Sequence, residues 1–349
     1  VTDPLPPEAA AALPPAQPRS RRRAGLILAA KLAATAVVLY FVVVALTKGF
    51  EDVQWDTVKF RPHFLVLAVA AFLVTKAFAF LTYSTLLGVY GRQVGWRVLL
   101  ATVWIPQLGK FVPGKVATMA WAMLLLARHK VPPMIVARTV LLLSALMVLV
   151  GLVIAVPVII WVPEIVGPST LWIVALLLAA GLVILHPRVL LPLMNWGLRR
   201  LHRPPFEEAI PLKTYLAAAG TMVGQWVFIG LSNWLVAHAI QTGDEAGLGL
   251  GSLVLFISAT SLASCVGFLA LFAPAGLGVR EGVLLVCLTK SGIDAGLASI
   301  VVTFTRLLQV VVEVALAGVG YLLLWSRGET RPVAPAAASP AGADPADRN

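Results

Sequence analysis

Charged residues are scarce in this chain. Only 12% of its 349 residues are Asp, Glu, Lys or Arg, and 59% are hydrophobic. Soluble domains are about 25% charged and about 45–50% apolar. With a mean hydropathy of +0.91, that deficit excludes a water-soluble fold and places the chain in lipid as a polytopic membrane protein. Cysteine is nearly absent: Cys265 and Cys287, both in apolar stretches, supply no disulfide framework and no paired metal motif, and read as small buried hydrophobes. The five histidines, His63, His129, His186, His202 and His238, form no HExxH pair. There is no GxSxG elbow, no P-loop and no dense acidic cluster, so neither a catalytic centre nor a metal or cofactor site is expected.

What charge there is has one dominant sign. The formal net charge is +11, but the basic residues fall in short segments between apolar runs, where they orient spans and meet anionic headgroups rather than nucleic acid. Residues 1–23 are rich in Pro and Ala, end in Arg19, Arg21, Arg22 and Arg23, and read as a disordered basic cytoplasmic tail. The apolar run after them shows no small-residue cleavage site and reads as a retained anchor. Residues 326–349 form a second disordered Pro/Ala-rich tail, leaving 24–325 as one membrane domain.

A spanning helix needs about 20 apolar residues. Six runs qualify, at about 24–47, 64–87, 138–160, 170–186, 213–240 and 296–325. Two more regions are apolar but broken: 98–127 by GKFVPGK, and 250–290 by APAGLGVREG. Arg92 and Arg97 precede the first broken region and Arg128, Lys130 and Arg138 follow it, so both its ends face the cytoplasm. The loop at 161–169 has no Lys or Arg, that at 187–213 has five, and that at 241–249 has none. The expected fold is therefore an all-α polytopic membrane protein with about six full spans, two re-entrant helical hairpins and both termini cytoplasmic. Two full crossings in each broken region would preserve the same parity. The order span, span, break, span occurs twice, in 24–160 and 170–325, with an odd number of crossings in each half, which predicts an inverted-topology repeat.

Breaks in membrane helices survive where protein or a water-filled cavity satisfies the freed backbone. In the first, Pro113 and Gly114 stand between Lys110 and Lys115, a setting for a phosphate or for two lysines snorkelling to the interface. In the second, Pro274, Gly276, Gly278 and Gly282 surround Arg280 and Glu281, an acid–base pair that is costly in lipid without partners. Arg306 and Glu313 share a face of the last run, where they either bond to each other through water or leave Arg306 to meet Glu281. Lys31 and Lys76 also interrupt apolar runs, and Lys76 lies near the middle of its run. The GxxxG at Gly220–Gly224 reads as a helix-packing motif.

The segments WIPQLGKFVPGKVATMAWAMLLLARHKVP (Trp104–Pro132), LFAPAGLGVREGVLLVCL (Leu271–Leu288) and TFTRLLQVV around Arg306 resemble the flippase-like membrane domain of the lysylphosphatidylglycerol synthase family. The resemblance covers roughly residues 24–325. It implies lipid translocation between leaflets of the inner cell membrane, with an anionic phospholipid or a polyprenyl phosphate as cargo. By position it points to Pro113, Gly114 and Lys115, to Pro274, Gly276, Gly278, Arg280 and Glu281, and to Arg306. Lys110, Lys115, Arg280 and Arg306 would neutralise a phosphate, with Glu281 and Glu313 positioning them or binding a proton or a cationic headgroup. The family's soluble aminoacyl-transferring domain is not seen here, so the chain is not expected to act as an enzyme. The alternative implied is an accessory subunit or enzyme of polyprenyl-linked glycan assembly, working with a separate glycosyltransferase or lipid-modifying enzyme.

Overall fold

Proline marks where several of the long helices start. The computed structural model describes residues 58–90, 94–111, 116–162, 186–200, 210–242, 248–270 and 278–325, with single positions such as Gly276 between them. The runs at 24–47 and, for the most part, 170–186 lie outside the described residues, as do both tails. After a three-residue strand β1 (Val58–Phe60), helix α1 (Pro62–Gly88) opens on Pro62, whose fixed φ suits the first helical position and whose missing N–H would have no helical partner there. The first broken region follows as α2 (Trp96–Trp104), a 3-10 turn (Ile105–Phe111) and α3 (Val116–Ala127). Proline then opens α4 (Pro133–Ile154), which continues past Ala155 as α5 (Val156–Trp161).

The amphipathic α6 (Pro187–Arg200) precedes α7 (Leu212–Ala239), itself started after Pro211 and ended by strand β2 (Ile240–Thr242). The second broken region is α8 (Leu250–Leu269) and α9 (Val279–Lys290), and the last helix is α10 (Ala295–Trp325). Gly292 takes φ +88° just past α9, the left-handed conformation that glycine supplies at a helix end. The Asp294 carboxylate then accepts the Leu297 N–H at 3.0 Å and caps α10.

Among the described residues, five helical stretches are long and apolar enough to cross a membrane: Pro62–Gly88, Pro133–Trp161, Leu212–Ala239, Leu250–Leu269 and Ala295–Trp325. Four of them are spans expected from the sequence. The fifth, α8, is the first arm of the second broken region, and its 20 residues reach the spanning length that a short re-entrant arm lacks. α9, with 12 residues, does not. Among the described residues the all-helical expectation has one small departure, the antiparallel pairing of β1 with β2, in register Phe60↔Ile240 and Val58↔Thr242.

That ladder sets the register of α1 against α7. The Arg61 N–H donates to the Ala239 carbonyl at 2.8 Å, Ser232 Oγ to the Ala68 carbonyl at 2.8 Å, and Gln225 Nε2 to Thr82 Oγ1 at 2.8 Å. These pairs run in opposite chain directions, so the two helices are antiparallel along their length. Close approach is possible at Gly224, where a side chain would overlap the Phe78 ring, whereas Gly220 faces open space. The GxxxG motif therefore packs through one of its two glycines. Around this pair, α10 lies on α2 and the 3-10 turn of the first broken region, and α4 lies on α8 of the second. Each also packs on the nearer second arm, α4 on α3 and α10 on α9.

Most Ser and Thr hydroxyls in these helices donate to a carbonyl one turn back, as Thr75 does to Ala71, Thr102 to Val98 and Ser144 to Val140. A hydroxyl satisfied in this way tolerates an apolar surround. The largest apolar cluster joins Phe72, Val158, Leu235, Phe256, Leu288 and Val301, at the end of the bundle that carries the β ladder.

Candidate functional site

Polar side chains on α10 recur at Arg306, Gln309 and Glu313, spacings of three and four residues that put them on one helix face. All three are buried, at 7%, 3% and 5% exposure. Each reaches a different element. Arg306 Nε lies 3.3 Å from Glu281 Oε1 on α9. Gln309 Nε2 donates at 3.3 Å to Asn233 on α7, whose own Nδ2 donates at 2.8 Å to Thr260 on α8. Glu313 accepts from two lysines: Lys76 of α1 at 2.7 Å, and Lys110 of the 3-10 turn at 2.6–2.7 Å from its two oxygens. Of the two arrangements open to Arg306, the ion pair with Glu281 is the one formed, and Glu313 is engaged by lysines from the other half of the chain.

The second break is built around glycine. Gly276 has φ +69° and lies so close to Gly267 of α8 that a side chain would strike the Gly267 backbone. Gly278, at φ +79°, is the N-cap of α9 and donates its N–H to Glu281 Oε2 at 2.8 Å. The Glu281 carboxylate thus caps the first turn of α9 with one oxygen, where the helix dipole favours an anion, and pairs with Arg306 through the other. Arg280 occupies that same first turn, a position that the dipole disfavours for a cation. Its Cβ leans on Gly267, where any side chain would overlap it. Gly282 faces open space and contributes no close approach.

These elements surround a cavity of about 400 Å³. Its lining includes Lys110, Arg280 and Arg306, with Gln107 of the 3-10 turn, and no Asp or Glu is among the described lining residues. The wall also includes Met119, Met147, Met222, Leu143 and Phe268. Flexible thioethers make such a wall adaptable to an apolar ligand of variable shape. The Tyr83 hydroxyl and Ser264 Oγ are buried at this cavity without a hydrogen-bond partner among the described residues. Chemically, this is a place for an anion that carries hydrogen-bond acceptors and an adjoining apolar group.

The structure brings together six of the residues picked from the sequence: Lys110, Gly276, Gly278, Arg280, Glu281 and Arg306, with Glu313 directly behind them. Pro113, Gly114, Lys115 and Pro274 lie outside the described residues. Lys76, noticed as a charge in the middle of an apolar run, proves to be a partner of Glu313. Tyr83, Gln107 and Gln225 also line the cavity, and no sequence signal had marked them for it. A glutamine in the middle of a span, such as Gln225, was a weaker form of the signal that singled out Lys76. Among the described residues no group of His, Cys, Asp and Glu could hold a metal ion.

A comparison with curated proteins found no match. The family model described as "Lysylphosphatidylglycerol synthase TM region" matches residues 28–317, most of the chain and all of the elements that build the cavity. With its apolar helices of spanning length, the chain is a multi-pass membrane protein with a membrane-lipid-related role, and it belongs to the lysylphosphatidylglycerol synthase transmembrane-region family.

Proposed function

We propose that this protein moves an anionic lipid between the leaflets of the cell membrane without changing its covalent structure. The observation that carries the reading is the cavity itself, whose described lining has three cations, no carboxylate, and a wall of apolar side chains interspersed with neutral polar ones. Its volume of about 400 Å³ suits a headgroup, since pockets of about 300–1,000 Å³ hold drug-sized molecules. Long acyl or prenyl tails do not fit within it and would stay in the bilayer.

The placement of the lining residues supports an orientation. Ala79 and Tyr83 lie toward the end of α1 that leads to Arg92 and Arg97, and Val140 to Met147 lie in the half of α4 that follows Arg128 and Lys130. This supports a cavity nearer the side of the basic loops, the cytoplasmic side by the positive-inside rule, and the proposal puts both termini on that side too. The opposite half is closed by the apolar cluster at Phe72, Leu235 and Phe256. The reciprocal packing of α10 on the first broken region and of α4 on the second supports two inverted halves meeting at the cavity. In such an arrangement, rocking one half against the other carries the headgroup from one leaflet to the other.

Reconstitution of the full chain into vesicles, with leaflet accessibility of a tail-labelled anionic phospholipid or polyprenyl phosphate as readout, tests this. Arg280→Ala and Glu281→Ala are each expected to abolish translocation and to leave the protein folded. Full activity in both variants overturns the site. Lipid recovered with altered mass, in vesicles holding this protein alone, overturns transport in favour of an enzyme.

A further inference from the structure

We infer that α6 lies flat in the membrane interface on the side of the basic loops and docks onto an anionic lipid surface. Its apolar stripe sits at the acyl boundary and its arginines lie on lipid phosphates. This surface is separate from the cavity, and the inference holds whatever the cavity carries. At 14 residues α6 is about 21 Å long, short of the roughly 30 Å of hydrocarbon that a spanning helix must cross. The chain bends at His186 before Pro187 opens the helix, so α6 is a separate element and not the end of a longer one. Its Leu190, 3% exposed, belongs to an apolar cluster with Leu86, near the end of α1, and Tyr215, near the start of α7. Those positions lie at the end of the bundle opposite the β ladder. There α6 rests on the bundle, beside the loops that carry Arg92, Arg97, Arg128 and Lys130.

The helix divides into three sectors. Successive residues are about 100° apart, so Leu190, Leu191 and Met194 share one side, and these are the residues packed on the bundle. Val189, Leu193 and Trp196 share a second side and are 37%, 47% and 60% exposed. Arg188, Asn195 and Arg199 share a third. Neighbouring sectors are separated by roughly 110–140° at that pitch. Three environments arranged in this way, protein, hydrocarbon and headgroup, are what a helix meets when it lies along the interface against a bundle. Arg200 falls on the apolar side at the last turn, where its guanidinium stands over the Trp196 ring, 5.6 Å from its centre. Tryptophan favours headgroup depth, and an arginine stacked on it reaches the phosphates from there. Charge decides the kind of surface. The helix carries Arg188, Arg199 and Arg200 with no Asp or Glu, which complements an anionic leaflet and gains nothing from a neutral one.

The test places a fluorophore on Leu193→Cys in the full chain, reconstituted in vesicles of phosphatidylcholine and phosphatidylglycerol. Cys265 and Cys287 are buried and stay unlabelled. Quenching by lipids spin-labelled on the acyl chain is expected to be strong, and quenching by aqueous acrylamide weak. Acrylamide quenching as strong as at a label on Arg199→Cys overturns the membrane placement. Weak quenching by both agents shows the face covered by protein and overturns it as well. Spin-labelled phosphatidylglycerol is expected to be favoured over spin-labelled phosphatidylcholine around Leu193→Cys by about fivefold or more, the factor that one basic residue contributes near a charged membrane surface. The preference is expected to fall to near unity in Arg188→Gln/Arg199→Gln/Arg200→Gln. Equal quenching by the two lipids with the arginines intact overturns the anionic partner. A preference undiminished in the folded triple variant overturns the role given to the arginines. If that variant does not fold, the comparison of the two lipids with the arginines intact decides the question alone.

Discussion

Removing the carboxylate of Glu313 should destabilise the protein more than removing either of its lysines, because it takes a shared anion from two ammonium groups at once. Lys76 and Lys110 each lie about 2.7 Å from a Glu313 oxygen. At an effective dielectric of about 20, charges that close attract by about 6 kcal/mol before desolvation is subtracted. Breaking a buried ion pair by deleting one member costs about 3–5 kcal/mol, since the remaining charge keeps its desolvation penalty without its partner. Glu313→Met is therefore expected to cost about 3–5 kcal/mol. Lys76→Met leaves Glu313 paired with Lys110, so its cost is expected to be smaller, about 1–2 kcal/mol. The double variant Lys76→Met/Glu313→Met removes a cation together with the anion, so one ammonium rather than two loses the Glu313 carboxylate. It is expected to cost less than the sum of the singles by about 1.5–3 kcal/mol. Thermal or denaturant unfolding in one detergent, followed by tryptophan fluorescence, gives the complete cycle. Additive singles, with a coupling below about 0.5 kcal/mol, would refute the reasoning, because a buried carboxylate shared by two partly buried lysines cannot be energetically independent of them.

Three further outcomes follow from the packing. Gly224→Ala is expected to destabilise the bundle by about 1–3 kcal/mol through overlap with the Phe78 ring, while Gly220→Ala, with open space around it, is expected to be neutral or slightly stabilising; equal melting of the two variants argues against the described α1–α7 approach. Gly276→Ala combines a left-handed φ with a clash against Gly267, and is expected to lose translocation and at least 1–3 kcal/mol of stability, measured by transport and by melting. The paired cysteines Thr82→Cys/Thr221→Cys replace hydroxyls 2.9 Å apart and are expected to cross-link within one chain on oxidation, detected as a mobility shift after cleavage between α1 and α7. Failure to cross-link would contradict the antiparallel register.

The breaks in the apolar runs were legible as places where chemistry collects, because lipid makes both a freed backbone group and an ionised side chain costly. Arg280, Glu281, Arg306 and Glu313 stood out for that reason, and the structure gathers them around one cavity. Less was legible of α8, whose 20 residues were read as one arm of a hairpin. The break at APAGLGVREG follows that helix, with glycine at φ +69° and φ +79°, and the sequence alone left open whether the arm before it crosses the membrane.

The sequence by itself determined that the chain lives in a membrane, where four of its described spanning helices run, and which residues are too costly to be there without a purpose. Composition and run length decide those points, and both are properties of the linear chain. Only the tertiary structure decided the partners. Helical periodicity puts Arg306 and Glu313 on one face of α10, but it cannot say that Glu281 answers the first and that Lys76 and Lys110 share the second. Those lysines lie more than 200 residues away along the chain. They meet Glu313 because α10 of the second half packs onto the broken helix of the first.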